Sequence, residues 1–268
     1  MKKFQTKVVG IVNFTPDSFS DGGCYNSHMQ ALDHVSEMIS NGADIIDVGA
    51  ESTRPSGIKV SAQEEQDRLD GLFQKIYSIA CENNILVSLD SRNYDTLKKF
   101  EKYYHIINDV TGFADKRIID LQKRTQKEVI FMRSISVPVI KNKTIGENVD
   151  PVAYVQDWLD QKLQFFKNNK VDLGKLIFDP GIGFGLGNKN DLVLIKRLAE
   201  IKTKGLRMMI GHSRKSFLSV FGEDNASLRD PETHVLSSYL INLGVDYIRV
   251  HDVRSTYRIK KLTEMLYR

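Results

Sequence analysis

Short apolar runs bounded by turn residues recur along the chain. Eight of them predict buried strands, at 7–13, 43–50, 85–90, 105–109, 128–133, 176–181, 207–213 and 247–252. These runs lack strict alternation of apolar and polar residues, which indicates strands covered on both faces, as in a parallel sheet. Segments with helical periodicity lie between most of the strands, at 28–42, 61–84, 150–169, 190–205 and 231–244.

The ends of the helical segments carry residues that favour helix boundaries. Ser61 with Glu64 three residues later has the pattern of a capping box. Asp230 followed by Pro231 is typical of an N-cap with proline in the first helical position. Glycines that suit a left-handed position past a helix end follow three of the segments: Gly42, Gly205 and Gly244.

The order of these elements predicts the fold class. Eight strands alternating with helices over about 250 residues are what a (β/α)8 TIM barrel requires. A doubly wound open sheet is the alternative, but its usual strand count is lower. No linker, low-complexity tract or repeat of fixed period interrupts the sequence. We therefore predict that residues 1–268 form a single (β/α)8 barrel domain.

Composition excludes several classes of protein. The 268 residues are 41% hydrophobic and 27% charged, which is ordinary for a folded globular chain. No apolar run approaches the ~20 residues of a membrane helix, and the apolar stretch near the N-terminus is too short for a secretory signal. The net charge of +4 comes without a basic stripe, so we expect no nucleic-acid partner. Cys24 and Cys81 cannot form a disulfide framework, which favours a cytoplasmic location.

Polar side chains close most of the predicted strands. In a (β/α)8 barrel the catalytic groups lie at these C-terminal strand ends. One such residue alone is more often a helix cap or a loop anchor. Crowding many of them on one rim costs free energy unless a ligand pairs with them, so we predict a ligand site there. The residues are Asn13, Glu51, Asp90, Asn108, Asp109, Arg133, Asp179, Ser213, Arg249 and His251.

Four of the loops that follow strands have unusual sequences. Loop 14–23 is polar with a glycine pair, and is either a flexible surface loop or a lid over the site. Loop 51–57 contains Arg54, a planar cation suited to carboxylate or phosphate. The glycines of loop 179–185 suggest a backbone that approaches a ligand closely, although the dinucleotide fingerprint is missing.

The fourth loop, 211–217, is expected to begin a helix. Ser213 is the predicted N-cap, and the helix N-terminus with Arg214 and Lys215 would form an anion site. A solvated basic helix start is an equally common explanation.

Taken together, these segments resemble the dihydropteroate synthase family. The matching segments are residues 13–23, 42–55, 106–109, 179–185, 213–217 and 248–253, so the resemblance covers nearly the whole chain. It implies a (β/α)8 barrel. It also implies an enzyme that joins 4-aminobenzoate to 6-hydroxymethyl-7,8-dihydropterin diphosphate and releases 7,8-dihydropteroate and diphosphate in folate synthesis.

The resemblance assigns roles to the strand-end residues. The pterin ring would be bound by Asp90, Asn108, Asp179 and Lys215, with the carboxylate of Asp179 accepting from two ring donors. The diphosphate would lie between Asn13, Arg249 and His251. Mg²⁺ is the implied cofactor, with Asn13 as its ligand, because this ion keeps several waters and needs few protein donors.

The aminobenzoate site and the catalytic residues are implied in the same way. Aminobenzoate would contact Phe19, Thr53, Pro55, Phe184 and Ser216. Asp21, Arg54 and Lys215 would be the catalytic residues, acting after the carbon–oxygen bond to the diphosphate has loosened. The resemblance further implies a homodimer and inhibition by sulfonamides.

This chain departs from the family pattern at a few positions. Strand five ends Met132-Arg133-Ser134 where the family tends to show Met-His-Met, which would add a cation to the floor of the pterin pocket. Ser91 replaces a frequent threonine and keeps the hydroxyl. About six residues precede strand one, so the chain is expected to be a short member or one domain of a fusion.

Two other functions compete with the synthase. Methyltransferase barrels share a similar pterin pocket, but methyl transfer needs no diphosphate site. A pterin-binding module without catalysis would have no need of Asp21, Arg54 and Lys215 together. We therefore expect the synthase.

Overall fold

Eight parallel strands close into a barrel within the part of the chain that the computed structural model describes, which is residues 6–14, 23–51, 60–140, 143–202, 205–221, 223 and 225–267. The strands pair in chain order, and β1 also pairs with β8. The predicted (β/α)8 barrel is therefore confirmed, and the open sheet is wrong. The strands are β1 (Lys7–Asn13), β2 (Ile45–Gly49), β3 (Leu86–Asp90), β4 (Ile106–Asp109), β5 (Glu128–Met132), β6 (Leu176–Asp179), β7 (Arg207–Gly211) and β8 (Tyr247–Val250).

Helices connect the strands and cover the barrel. They are α1 (Gly23–Ser40), α2 (Ala62–Leu69), α3 (Leu72–Glu82), α4 (Tyr94–Lys99), α5 (Lys116–Thr125), α6 (Pro151–Asn168), α7 (Asn188–Lys196), α8 (Leu198–Lys202), α9 (Asp230–Asn242) and α10 (Val253–Tyr267). The predicted helix 61–84 is two helices, because Gly71 between them has a left-handed φ of 73°. None of the helices in the described ranges is long and apolar enough to cross a membrane.

The predicted helix boundaries are confirmed in part. The capping box is present, since Ser61 Oγ accepts from the Glu64 N–H and the Glu64 carboxylate accepts from the Ser61 N–H. The predicted N-cap at Asp230 is wrong: α9 begins at Asp230 itself, after Arg229. The carboxylate of Asp230 is instead paired with Arg214, at 2.8 Å for both of its hydrogen bonds.

The interior of the barrel changes from apolar to polar along the strands. A layer with one apolar residue from each strand fills the lower part: Val9, Ile45, Leu86, Ile106, Ile130, Ile177, Met209 and Tyr247. Because strand side chains alternate between two faces, residues two positions later also point inward. In β4, β6 and β8 these are Asn108, Asp179 and Arg249, which line a cavity above the apolar layer. The strands thus deliver polar groups to a site that rests on a hydrophobic floor.

Candidate active site

A cavity of about 950 Å³ opens at the C-terminal ends of the strands. Most of the predicted strand-end residues lie on the rim of this cavity. The predicted site residues that line the cavity are Asn13, Glu51, Asp90, Asn108, Asp179, Phe184, Ser213, Lys215, Ser216, Arg249 and His251. The other predicted site residues, Phe19, Asp21, Thr53, Arg54 and Pro55, lie outside the described residues.

At the rim, the strand register places the last residues of β1, β2 and β3 and a residue of β4 side by side. Asn13 pairs with Gly49, Gly49 with Asp90, and Asp90 with Asn108. A side chain at position 49 would meet the Asp90 Cβ at 3.3 Å and the Asn13 Oδ1 at 3.5 Å. Because Gly49 has no side chain, the side chains of Asn13 on β1 and Asp90 on β3 can lie close to each other.

Asp47 is a central residue of the site that the sequence analysis missed. It is fully buried in β2, and its carboxylate accepts hydrogen bonds from Arg249 Nε at 2.6 Å and from Asn108 Nδ2 at 3.1 Å. Its position in the sequence contained a signal. Asp47 interrupts the apolar run 43–50 and lies two residues after the inward-facing Ile45.

Arg249 links Asp47 to a second carboxylate. Its Nη2 donates to Asp90 Oδ2 over 2.9 Å, and its side chain remains 19% exposed. Burial, together with the charge of Asp47, raises the pKa of Asp90 to about 8, and the charge of Arg249 opposes this shift. Burial and the neighbouring negative charge therefore favour the protonated form of Asp90, and the Arg249 cation favours its ionised form.

Asp179 ends β6 with its carboxylate in the cavity. Its Oδ1 accepts from the Gly181 N–H at 2.8 Å. Burial raises the pKa of Asp179 to about 6, while the Gly181 hydrogen bond and the charges of Lys215 and Arg249 oppose the shift. Gly211 of β7 lies close to this carboxylate, since an added Cβ there would be 3.8 Å from Asp179 Oδ2. The second carboxylate oxygen therefore has space for a ligand donor.

Lys215 and Phe184 contact each other in the loops that follow β7 and β6. The Lys215 ammonium lies 4.2 Å from the centroid of the Phe184 ring, within the range of a cation–π contact. A side chain at Gly183 would meet Lys215 Cδ at 3.1 Å. The loop after β6 therefore forms the surface on which the Lys215 stem rests.

The segment after β7 differs from the predicted helix start. Residues Ser216–Phe221 form a short 3-10 helix, so the expected N-terminal anion site is wrong. Ser213 is not an N-cap, because its hydroxyl bonds the His251 Nδ1 at 2.9 Å. Arg214 is held by Asp230. The Ser213 contact instead fixes the imidazole of His251 at the rim.

Two predicted rim residues do not line the cavity. The carboxylate of Asp109 accepts from the backbone of Thr111 and Phe113 and closes its own turn. Arg133 is fully buried, and its guanidinium points at backbone carbonyls of the loop after β6. The expected cation on the pocket floor is therefore wrong, and Met132 provides an apolar lining there.

Buried polar contacts support the rim from behind. Glu51 forms a two-pronged ion pair with Arg92, at 2.6 and 2.8 Å. Glu65 accepts from Ser91 Oγ and Asn93 Nδ2, both at 2.9 Å, and burial raises its pKa. The Ser91 hydroxyl thus anchors the turn directly after Asp90.

Comparison with known proteins decides the family. Residues 9–251 match the model of the pterin binding enzyme family. A dihydropteroate synthase of Streptococcus pyogenes is 35% identical over 264 residues, covering 97% of this chain and 95% of its own. The chain belongs to the dihydropteroate synthase family.

Solved structures of the dihydropteroate synthase family share the barrel. The synthase of Anaplasma phagocytophilum with bound 6-hydroxymethylpterin-monophosphate has a TM-score of 0.89 and 31% identity, and the match covers 98% of this chain and 99% of that one. The synthase of Yersinia pestis with a sulfonamide drug complex has a TM-score of 0.87 and 30% identity, over 98% and 94%. The predicted synthase is confirmed over the methyltransferase and the non-catalytic module. The enzyme is thus a transferase of alkyl or aryl groups.

Proposed function

We propose that this chain, as one pterin-binding domain over residues 1–268, joins 6-hydroxymethyl-7,8-dihydropterin diphosphate to 4-aminobenzoate in the cavity described above. The observation that carries the proposal is the convergence of a buried carboxylate, an amide and a lysine on one polar pocket. A pterin offers an amine and a ring N–H beside a carbonyl. Asp179 would accept from both donors, since a carboxylate has several acceptor sites. Asn108, Asp90 and Lys215 complete the recognition of the ring.

The pterin pocket is selective because its polar groups are buried. Asn108 is 3% exposed and Asp179 is 4% exposed. A ring without the matching donors would leave these groups unpaired, which strongly disfavours binding. The 6-hydroxymethylpterin-monophosphate bound to the Anaplasma phagocytophilum synthase supports this class of ligand.

We assign the diphosphate to the rim formed by Asn13, Arg249 and His251. All three line the cavity, and the Ser213 hydroxyl holds the His251 ring. Asp47 and Asp90 orient the Arg249 guanidinium in advance. A cation that is already oriented costs little reorganisation when charge develops on the leaving group.

Mg²⁺ fits this donor set. The carboxamide oxygen of Asn13 is a hard donor of the kind that Mg²⁺ prefers, and the ion takes its other ligands from water and phosphate oxygens. Among the described residues, no group of three or more His, Cys, Asp or Glu side chains could hold a metal. When bound through Asn13, the ion would neutralise charge on the diphosphate.

The reaction begins with loosening of the carbon–oxygen bond to the diphosphate. Arg249 and His251 stabilise the charge that develops on the departing group. The amine of 4-aminobenzoate then attacks the methylene carbon, so that a carbon–nitrogen bond replaces the broken carbon–oxygen bond. The acidic arylammonium that forms loses its proton to solvent or to the released diphosphate, which needs no strong general base. The aminobenzoate ring would lie against Phe184, Ser216 and the Lys215 stem. We assign three further residues to the same site: Phe19, Thr53 and Pro55. Asp21 and Arg54 are assigned to holding the amine in line.

We further propose a homodimer in the cytoplasm. Helices α9 and α10 pack together and leave large apolar side chains exposed, including Val235 at 74%, Met265 at 77% and Leu266 at 69%. Exposed apolar residues grouped on two adjacent helices support contact with a second copy. The exposed free thiol of Cys81 supports a reducing compartment.

The test of the proposed reaction is product formation. The purified chain is incubated with the pterin diphosphate, Mg²⁺ and isotopically labelled 4-aminobenzoate, and labelled 7,8-dihydropteroate is measured. We expect labelled product that disappears in Asp179→Ala. The matched control Asp172→Ala, at the exposed N-cap of the 3-10 helix before β6 and outside the cavity lining, should retain activity. A folded chain that binds the pterin but makes no labelled product would contradict the proposal.

A further inference from the structure

Two buried charged residues hold the loop after β6. Arg133 Nε donates to the Pro180 carbonyl at 2.9 Å, and its Nη2 donates to the carbonyls of Gly181 at 2.9 Å and Phe184 at 3.0 Å. The guanidinium is fully buried. Its planar set of donors therefore fixes three carbonyls of one short loop, which the point charge of a lysine does not do.

Asp191 holds the same loop through one of its backbone N–H groups. This residue of α7 is 1% exposed, and its Oδ1 accepts from the Gly183 N–H at 3.0 Å. The charges of Arg133 and Asp191 act on each other across the loop and offset part of the cost of burying them. Residues 180–184 thus lie between a buried cation and a buried anion.

The loop has little freedom to adopt another shape. Gly181 and Gly183 have left-handed φ values of 71° and 78°. A Cβ at Gly181 would lie 1.8 Å from the carbonyl oxygen of Arg133, so the loop also packs directly on the Arg133 backbone. The side chain and the main chain of one residue therefore contact the loop together.

This loop carries the surface that contacts Lys215. The Phe184 ring lies 4.2 Å from the Lys215 ammonium, and Gly183 passes beside the Lys215 stem. A shift of the Phe184 backbone would move the Phe184 ring, and the Lys215 ammonium that contacts this ring would move with it. Neither Arg133 nor Asp191 has a role in the reaction described above.

We propose that Arg133 and Asp191 are positioning residues that hold loop 180–184, and through it Lys215, in the arrangement that binds the pterin. The inference rests on the proposed pterin role of Lys215. It also explains why a cation at position 133 does not disturb the pocket, since its charge is directed at the loop carbonyls and away from the ligand.

The test is a double-mutant cycle on pterin affinity. Calorimetry measures the Kd of 6-hydroxymethylpterin monophosphate for the parent, Arg133→Met, Asp191→Asn, Lys215→Met and the two combinations with Lys215→Met. We expect Arg133→Met to weaken binding about tenfold and Asp191→Asn about threefold, the range of one weakened charged hydrogen bond. In the Lys215→Met background both losses should nearly vanish, because residues that act through one group are not additive.

The controls separate positioning from folding. Arg124→Met removes an exposed ion pair with Glu101 and should leave the Kd unchanged. Circular dichroism establishes that each variant is folded, and if Arg133→Met is not folded, the Asp191→Asn cycle decides. Parent-like affinity in the folded variants, or losses that persist undiminished without the Lys215 ammonium, would overturn the inference. Parent-like binding by Lys215→Met would instead refute the proposed role of Lys215, and the inference with it.

Discussion

Arg249 Nε donates a hydrogen bond to Asp47 Oδ2 over 2.6 Å, joining two residues that are 202 positions apart in the chain. Strands β8 and β2 lie on either side of β1, so this contact spans the start and the end of the barrel. Asp47 is fully buried, and the Arg249 side chain is 19% exposed toward the cavity. The pair therefore has two roles. It links the first and last parts of the barrel, and it orients the Arg249 guanidinium in the site.

Asp47→Asn is predicted to destabilise the protein. The change keeps the shape of the side chain but removes the charge that faces Arg249 in the interior. Loss of one partner of a buried ion pair typically costs about 3 kcal/mol or more, and urea denaturation measures the free energy of unfolding. The control Asp95→Asn weakens an exposed pair with Arg117 and should cost less than about 1 kcal/mol. Equal effects of the two changes would show that Asp47 has no special role.

The sequence was sufficient to predict the barrel because strand patterning and turn residues are local signals. Each predicted strand overlaps an observed one. The polar rim was also predictable, since closing a barrel brings all strand ends together. Asp47 was missed because it lies inside a strand, and only closure of the barrel brings its partner Arg249 of β8 close to β2.

Side-chain direction was the other limit of prediction. Arg133 directly follows β5 and Asp179 ends the neighbouring β6, yet the Arg133 side chain points at the loop carbonyls and the Asp179 side chain lines the cavity. A strand-end position does not specify this difference, which depends on where unpaired carbonyls lie. The N-cap predicted at Ser213 failed for a similar reason, because its partner is His251, a residue distant in sequence.

Asp179 predicts the pH dependence of pterin binding. Its pKa is raised to about 6, and the ring donors require the ionised carboxylate. Affinity for the pterin should therefore fall about tenfold between pH 7 and about pH 5, as most of the carboxylate takes up a proton.

Asp179→Ala should abolish pterin binding in a folded chain, because each unpaired donor costs about 1–3 kcal/mol.

The stability of the protein should change with pH in the opposite direction. A carboxyl group whose pKa is raised on folding binds more protons in the folded state than in the unfolded state. The free energy of unfolding contributed by Asp179 should thus fall as pH rises from about 4 to 6. Calorimetric titrations of the pterin between about pH 5 and pH 7 check the affinity, and a pH-independent Kd would show that Asp179 does not bind the ring donors.

Substitutions of Arg249 and His251 should affect the affinities of two ligands, the pterin diphosphate and the pterin alcohol, to different degrees. Arg249→Lys and His251→Asn should weaken binding of the pterin diphosphate at least about tenfold more than binding of the pterin alcohol, since only the former carries the charge that these residues meet. Calorimetry with both ligands measures the ratio. Equal losses would mean that the two side chains have structural roles only.

Sulfonamides should inhibit the enzyme in competition with 4-aminobenzoate. These drugs present an arylamine and a sulfonyl group in place of the carboxylate, and the Yersinia pestis relative was solved with such a complex. Changes at Phe19 or Pro55 should reduce drug affinity more than substrate affinity, because the drug extends past the aminobenzoate outline. Initial rates at varied aminobenzoate concentrations check this expectation, and non-competitive inhibition would contradict it.

The central claim is that diphosphate release and condensation are one reaction in this cavity. The measurement that tests it most directly is the ratio of diphosphate released to 7,8-dihydropteroate formed, with both substrates and Mg²⁺ present at saturating concentrations. We predict a ratio of about one, because an arylamine held in line with the methylene carbon would capture it faster than water does. Diphosphate released without a matching amount of 7,8-dihydropteroate would contradict the account.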